Sequence, residues 1–203
     1  MLAVAGVRKS YGKRAVLRGV DLDVGAGELV GVVGENGAGK TTLLRILCGQ
    51  LRGDAGSVRL DGRLGYCPQN PVLNNDLTVE QHLKYFQIAY RLPHLRRADE
   101  LIEQLGFGDY RGVAVKDLSG GTRQKVNLVL ALMHDPAVVL LDEPYQGFDW
   151  ETYLRFWDIA AALRAAGRAV LVISHLAYDS VRLDTLHRLR DGVLEHAVAV
   201  SPA

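Results

Sequence analysis

Three stretches of this sequence place reactive residue types at spacings that suit phosphate chemistry. In VVGENGAGKTTLLRI, residues 32–46, a short apolar run enters a glycine-rich loop that ends in a lysine and two threonines. Gly34, four residues, then Gly39, Lys40 and Thr41 fit the phosphate-cradling spacing G-x-x-x-x-G-K-[ST]. Glycines let the backbone turn tightly and aim successive N–H groups at one anion. A helix beginning near Lys40 adds its unpaired N–H groups and its dipole at the same spot. Lys40 can reach β- and γ-phosphates, and the Thr41 hydroxyl can ligate Mg²⁺. An ordinary turn after the β-like run Leu29–Val33 explains one glycine, not three in register with lysine and threonine.

The second stretch is VVLLDEP, residues 138–144, an apolar strand ending in Asp142 with Glu143 next. A phosphate loop needs an acidic element to complete metal coordination. Asp142 suits the outer coordination of that metal, and Glu143 is placed to polarise a water for attack on a γ-phosphate. The third is DLSGGTRQKV, residues 117–126, where Ser119, Gly120 and Gly121 open a helix and again present N–H groups to an anion. Alone, this third stretch reads equally well as a simple helix cap.

The elements around these stretches define an α/β chain. LAVAGVRKSY and GVDLDVGAGELVGVVG alternate apolar and polar residues between glycine turns, which predicts strands. GSVRLDGRLGYCPQ predicts two short strands around Asp61-Gly62, and an RGD at 52–54 reads as coincidence within a turn. In LTVEQHLKYFQIAYRL, Thr78 and Gln81 form a capping box, and Val79, Leu83, Phe86 and Tyr90 recur at helical spacing. Tyr85, Phe86 and Tyr90 read as packing residues, with one edge available to a partner. RADELIEQLGF predicts a second helix closed near Gly106. Apolar strands AVVLLD and AVLVIS then alternate with helices TRQKVNLVLALM and WETYLRFWDIAAALRAAG, which implies a mainly parallel sheet. The tail predicts a hairpin around Asp191-Gly192. We expect one domain, 1–203: a β subdomain with the phosphate-loop core over 1–71, a helical subdomain over 72–118, and the remaining core over 119–203.

Composition limits the partners. The 203 residues are 48% hydrophobic and 23% charged, with a formal net charge of +1, which gives no electrostatic reason to expect nucleic acid. Cys48 and Cys67 lack metal-ligand spacing and read as small buried residues suited to a reducing cytosol. The start carries no secretory signal pattern. His134, Asp135 and Pro136 break the longest apolar stretch far short of the ~20 residues of a spanning helix. His82, His94, His134, His187 and His196 belong to no motif.

Taken in order, these motifs resemble the nucleotide-binding domain of ATP-binding-cassette (ABC) ATPases, nearly end to end. GENGAGKTT, which is Gly34, Glu35, Asn36, Gly37, Ala38, Gly39, Lys40, Thr41 and Thr42, resembles the Walker A loop, VVLLDE the Walker B strand, and LSGGT the signature. Tyr11 sits where the family stacks an aromatic on adenine, Gln69 matches the Q-loop, Asp149 the D-loop and His175 the switch histidine. The resemblance implies a P-loop NTPase core with an N-terminal antiparallel β subdomain and an inserted helical subdomain. It implies ATP and Mg²⁺ as ligands, with Thr41, Gln69 and Asp142 at the metal, Glu143 as general base, and His175 at the γ-phosphate. Two cassettes would pair head to tail, each ATP lying between one Walker A loop and the other's Ser119, Gly120 and Gly121. The implied setting is the cytoplasmic side of a membrane, bound to a separate permease that drives export, since residues 65–92 resemble drug- and lipid-exporter cassettes. The alternative is a soluble ABC ATPase acting on ribosomes or DNA, and a further one is a regulator that binds ATP without turnover. The chain departs from the family at two places. Thr122 stands where the family usually has glutamine, which implies altered contacts between domains without loss of activity, and the D-loop lead-in YQGF differs from the commoner small-residue sequences.

Overall fold

The computed structural model describes residues 1–174 and 180–197. Strands β1 (Leu2–Tyr11) and β2 (Arg14–Val24) pair antiparallel, and β4 (Ala55–Leu60) joins the other edge of β1 to make a three-stranded sheet. The second sheet has six strands: β3 (Leu29–Val33), β5 (Leu64–Cys67), β6 (Val138–Asp142), β7 (Ala169–Ser174), β8 (Thr185–Arg190) and β9 (Val193–Ala197). Its order is β5-β6-β7-β3-β8-β9, parallel throughout except for the closing β8–β9 hairpin. The two strands expected around Asp61-Gly62 both form, yet they belong to different sheets: β4 pairs with β1, and β5 with β6.

The central strands are buried on both faces, as the unbroken apolar runs predict. Alternation decides which core each side chain enters. Val139, Leu141, Val170 and Val172 join the core under α3 (Arg96–Gln104), α4 (Gly120–Leu132) and α5 (Trp150–Ala165). Val138, Leu140, Leu171 and Ile173 point the other way, toward α1 (Lys40–Leu47) and the three-stranded sheet. The carboxyl ends of β5, β6, β7 and β3 are therefore carried on one doubly packed slab. In open α/β sheets that edge is where ligands bind.

Local signals set the helix boundaries. The capping box at α2 (Val79–Ala89) is present in both directions: Gln81 N–H donates to Thr78 Oγ1 at 3.2 Å, and Thr78 N–H to Gln81 Oε1 at 2.8 Å. Gly106 has φ 64° just beyond α3, as expected for a closing glycine. Cys67 is fully buried, whereas Cys48 is only partly so. On α2, Val79 and Leu83 enter the core and Phe86 and Tyr90 pack against it, but Tyr85 faces out and is 65% exposed. Asp54 of the RGD triplet has a structural task, accepting hydrogen bonds from Lys9 Nζ and Ser10 N–H.

Removing the cap tests this account of α2. Thr78→Ala should lower unfolding stability in urea by about 1 kcal/mol; an unchanged midpoint would mean that packing alone sets the start of the helix.

Candidate functional site

The three glycines of the loop after β3 answer two requirements, backbone conformation and space. Gly37 and Gly39 have φ of 83° and 109°, in the region L side chains avoid. Gly34 is fixed by space: a Cβ there would lie 2.5 Å from the Leu189 carbonyl oxygen. Gly39 caps α1, so the loop ends where the helix has its unpaired N–H groups. Lys40 folds back over this loop and donates from Nζ to the carbonyls of Gly34 and, at 3.1 Å, Glu35. Burial lowers its pKa, with the nearby Glu143 and Asp142 charges opposing that shift.

Asp142 and Glu143 end β6, and both are buried. Burial pushes the Asp142 carboxyl up to about 6, helped by the adjacent Glu143 and opposed by Lys40. Glu143 adopts φ 47°, a left-handed conformation uncommon for a residue with a side chain, and its N–H donates to the Ile173 carbonyl at 2.9 Å. The strand thus ends in a kink anchored to β7, which turns two successive carboxylates into the region of the loop.

Three hollows flank the loop. The largest, about 810 Å³, lies between Gly34–Ala38 and Arg188–Asp191. A second, about 280 Å³, separates Gly37 and Ala38 from the β1–β2 turn at Lys13–Val16. The third, about 460 Å³, is lined by Thr41, Gln69 and Asp142 together with Tyr66, Val72, Phe86 and Tyr90. Chemistry rather than size singles out the third for a metal. It brings a hydroxyl, an amide oxygen and a carboxylate to one cavity, the hard oxygen donors that Mg²⁺ takes. Among the described residues there is no cluster of three or more His, Cys, Asp or Glu side chains to suggest a softer metal.

The remaining expected residues sit apart from this cavity. Tyr11 ends β1 paired with Arg14, which lines the second hollow, and its exposed ring has Lys9 Nζ 5.8 Å from its centre. Ser119 caps α4, accepting from Thr122 N–H at 3.1 Å, and the two hydroxyls lie 2.9 Å apart. Thr122 is buried, so its departure from the family pattern has a local use: it ties down the Ser119 hydroxyl. Gly121 presses on the D-loop, where a Cβ would come 2.4 Å from the Gly147 oxygen. Asp149 caps α5, its carboxylate accepting from both Thr152 N–H and Thr152 Oγ1. Ser119 and Gly120 are exposed and line none of the three hollows around the phosphate loop. His175 lies outside the described residues.

Sequence reasoning missed Arg188–Asp191 beside the loop, and also Tyr145 and Ser174 beside Glu143. No motif marks the former; only the pairing of β8 alongside β3 brings them there. Neither YQGF nor the strand pattern of AVLVIS signals that the Tyr145 hydroxyl donates to Ser174 Oγ at 2.8 Å.

With this geometry in hand, comparison with known proteins is decisive. Residues 17–146 match the ABC transporter family. The chain belongs to that family. It is 34% identical over 198 residues to the Nod factor export ATP-binding protein I of Ralstonia nicotianae, covering 90% of this chain and 62% of that protein. It is 38% identical over 177 residues to the zinc import ATP-binding protein of Paramagnetospirillum magneticum, covering 86% and 68%. A solved structure described as the ATP-binding subunit of an ABC transporter matches with TM-score 0.90 at 28% identity over 96% of this chain and 88% of the other. A dimeric bacterial ABC transporter cassette shares the fold at TM-score 0.90 and 23% identity over the full length of both. The chain spans between 29% and 72% of the length of the curated relatives it matches.

The raised Asp142 pKa has a thermodynamic sign. Between the ordinary carboxyl range near 4 and a value near 6, the folded chain binds more protons than the unfolded one, so stability falls as pH rises through that window. In the absence of nucleotide and metal, Asp142→Asn should therefore melt several degrees above wild type at pH 7.5, with the gap narrowing at pH 5. A variant no more stable at either pH would show that Asp142 is not held at a cost.

Proposed function

We propose that this chain is the ATP-binding and ATP-hydrolysing subunit of an ABC transporter, working on a separate membrane permease. The observation that carries the reading is the convergence of Thr41, Gln69 and Asp142 on one cavity beside the Lys40 loop, with Glu143 next to Asp142. The Thr41 hydroxyl, the Gln69 amide oxygen and the Asp142 carboxylate would hold Mg²⁺, which supplies positive charge to the β- and γ-phosphate oxygens.

The chain's own groups then divide the work. N–H groups of Gly37–Thr42 wrap the phosphates, and Tyr11 offers an exposed ring to the base. Lys40 exchanges the neutral Gly34 and Glu35 carbonyls for phosphate oxygens, a stronger charge-assisted contact. Glu143 accepts the proton of the attacking water, a role worth ~10²–10⁴ in rate. His175 would contact the γ-phosphate.

The exposed signature supports a second cassette as partner. Ser119 and Gly120 present N–H groups at an exposed helix start, and neither lines any of the three hollows described around the phosphate loop. A head-to-tail pair would complete each site with the partner's signature, and Gly121 against Gly147 would make signature and D-loop move as one unit. The permease is proposed to dock beside Gln69, where Val72, on the cavity wall, is 86% exposed, and where Tyr85 and Ile88 of α2 are also exposed. Among the described residues no helix is long and apolar enough to cross a membrane, which fits a subunit held on the inner face of the membrane by that permease. Relatives named for export and for import fit a cassette whose phosphate chemistry is indifferent to the direction set by its permease.

Slowing hydrolysis without removing ATP should trap the pair. Glu143→Gln with saturating MgATP should sediment as a dimer, while the nucleotide-free variant stays monomeric; a strictly monomeric variant under both conditions would sink the paired-site reading.

A further inference from the structure

Neither Tyr145 nor Ser174 has a part in phosphate binding, yet together they reach the carboxylate proposed as general base. The Tyr145 ring packs against three aromatic rings of α5. Tyr153 and Phe156 meet it edge-on, with centroids at 5.3 and 5.5 Å and interplanar angles of 79° and 64°, and Trp157 lies tilted at 6.0 Å. Phe156 and Trp157 are themselves buried in the core between the large sheet and its helices. That grip leaves the phenol little freedom, and its hydroxyl donates to Ser174 Oγ at 2.8 Å. Ser174, the buried last residue of β7, has its own Oγ 3.5 Å from Glu143 Oε2.

The direction of donation follows from what each group can do. An ionised carboxylate only accepts, so the Ser174 proton goes to Glu143, and Ser174 can release it in that direction because Tyr145 supplies the bond it accepts. At 3.5 Å the Ser174–Glu143 step is the longer link of the pair. Glu143 needs such an anchor: with φ 47° it has left the strand, so the regular pleat no longer sets the direction of its side chain.

We propose that Tyr145 and Ser174 are positioning residues for ATP hydrolysis, a two-hydroxyl relay that fixes the orientation of the Glu143 carboxylate through one of its oxygens. This rests on the reading of Glu143 as general base. Tyr145 acts through Ser174, and the aromatic grip transmits the rigidity of the core to the reacting group. Holding the base in one orientation raises the fraction of encounters that are ready to react, and it leaves the affinity for ATP alone.

Tyr145→Phe keeps the ring and its aromatic neighbours while removing only the hydroxyl, and Ser174→Ala removes the next link. Each should lower kcat about tenfold, with the KM for ATP unchanged within about twofold and with little change in Tm. The double variant should be no slower than the slower single one, because the two hydroxyls act as a unit. Placed in a Glu143→Gln background, Tyr145→Phe should leave the residual single-turnover rate unchanged. Wild-type kcat in Tyr145→Phe, in a chain that loses turnover with Glu143→Gln, would overturn the relay alone. A loss that is additive in the double variant and persists without Glu143 would assign Tyr145 to the core and also overturn it. A wild-type chain with no ATP turnover would overturn the role of Glu143, and the relay with it.

Discussion

Burying an ionised carboxylate costs several kcal/mol unless other groups answer its charge, and this fold buries two in succession at the end of β6. Asp142 and Glu143 raise the tension between them, and Lys40 offsets part of it from across the loop. Almost everything near the site can be understood as a response to that constraint. The backbone kinks at Glu143, and its N–H is secured to β7. The lysine is held by the Gly34 and Glu35 carbonyls, which are weaker partners than phosphate.

The two cores hold these groups in place. Alternate residues of β6 and β7 anchor in opposite directions, one set under α4 and α5 and the other over α1. A shift of the strand ends would disturb both. Rigidity on the sheet contrasts with the neighbouring helical region, which offers exposed apolar side chains and a cavity reaching back to Asp142. A partner pressing on Val72 is thus one cavity away from a proposed metal ligand.

The phosphate loop, the acidic strand end and the capping box were legible in the sequence because each is a local arrangement. Its glycines, caps and apolar runs need no knowledge of the rest of the chain. What stayed hidden depends on pairing between distant segments. Arg188–Asp191 reach Gly34 only because β8 runs beside β3, and β4 and β5 look like neighbours across Asp61-Gly62 while joining separate sheets. Tyr85 has the type of a packing residue but lies off the Val79, Leu83, Phe86 and Tyr90 stripe, and its position on α2 turns it outward. Thr122 is legible as a departure from the family pattern, while its bond to Ser119 is visible only in three dimensions. Tyr145 carries no motif at all, and its meaning comes from the rings that grip it.

The account depends most on the loop being a phosphate site served by Lys40. The direct test is isothermal titration of MgATP into wild type and Lys40→Ala at pH 7.5, with circular dichroism confirming that both are folded. Saturable binding by wild type and its loss in the folded variant is the predicted result. Equal affinity in the two chains would contradict the reading of the loop, and with it the site built around Asp142 and Glu143.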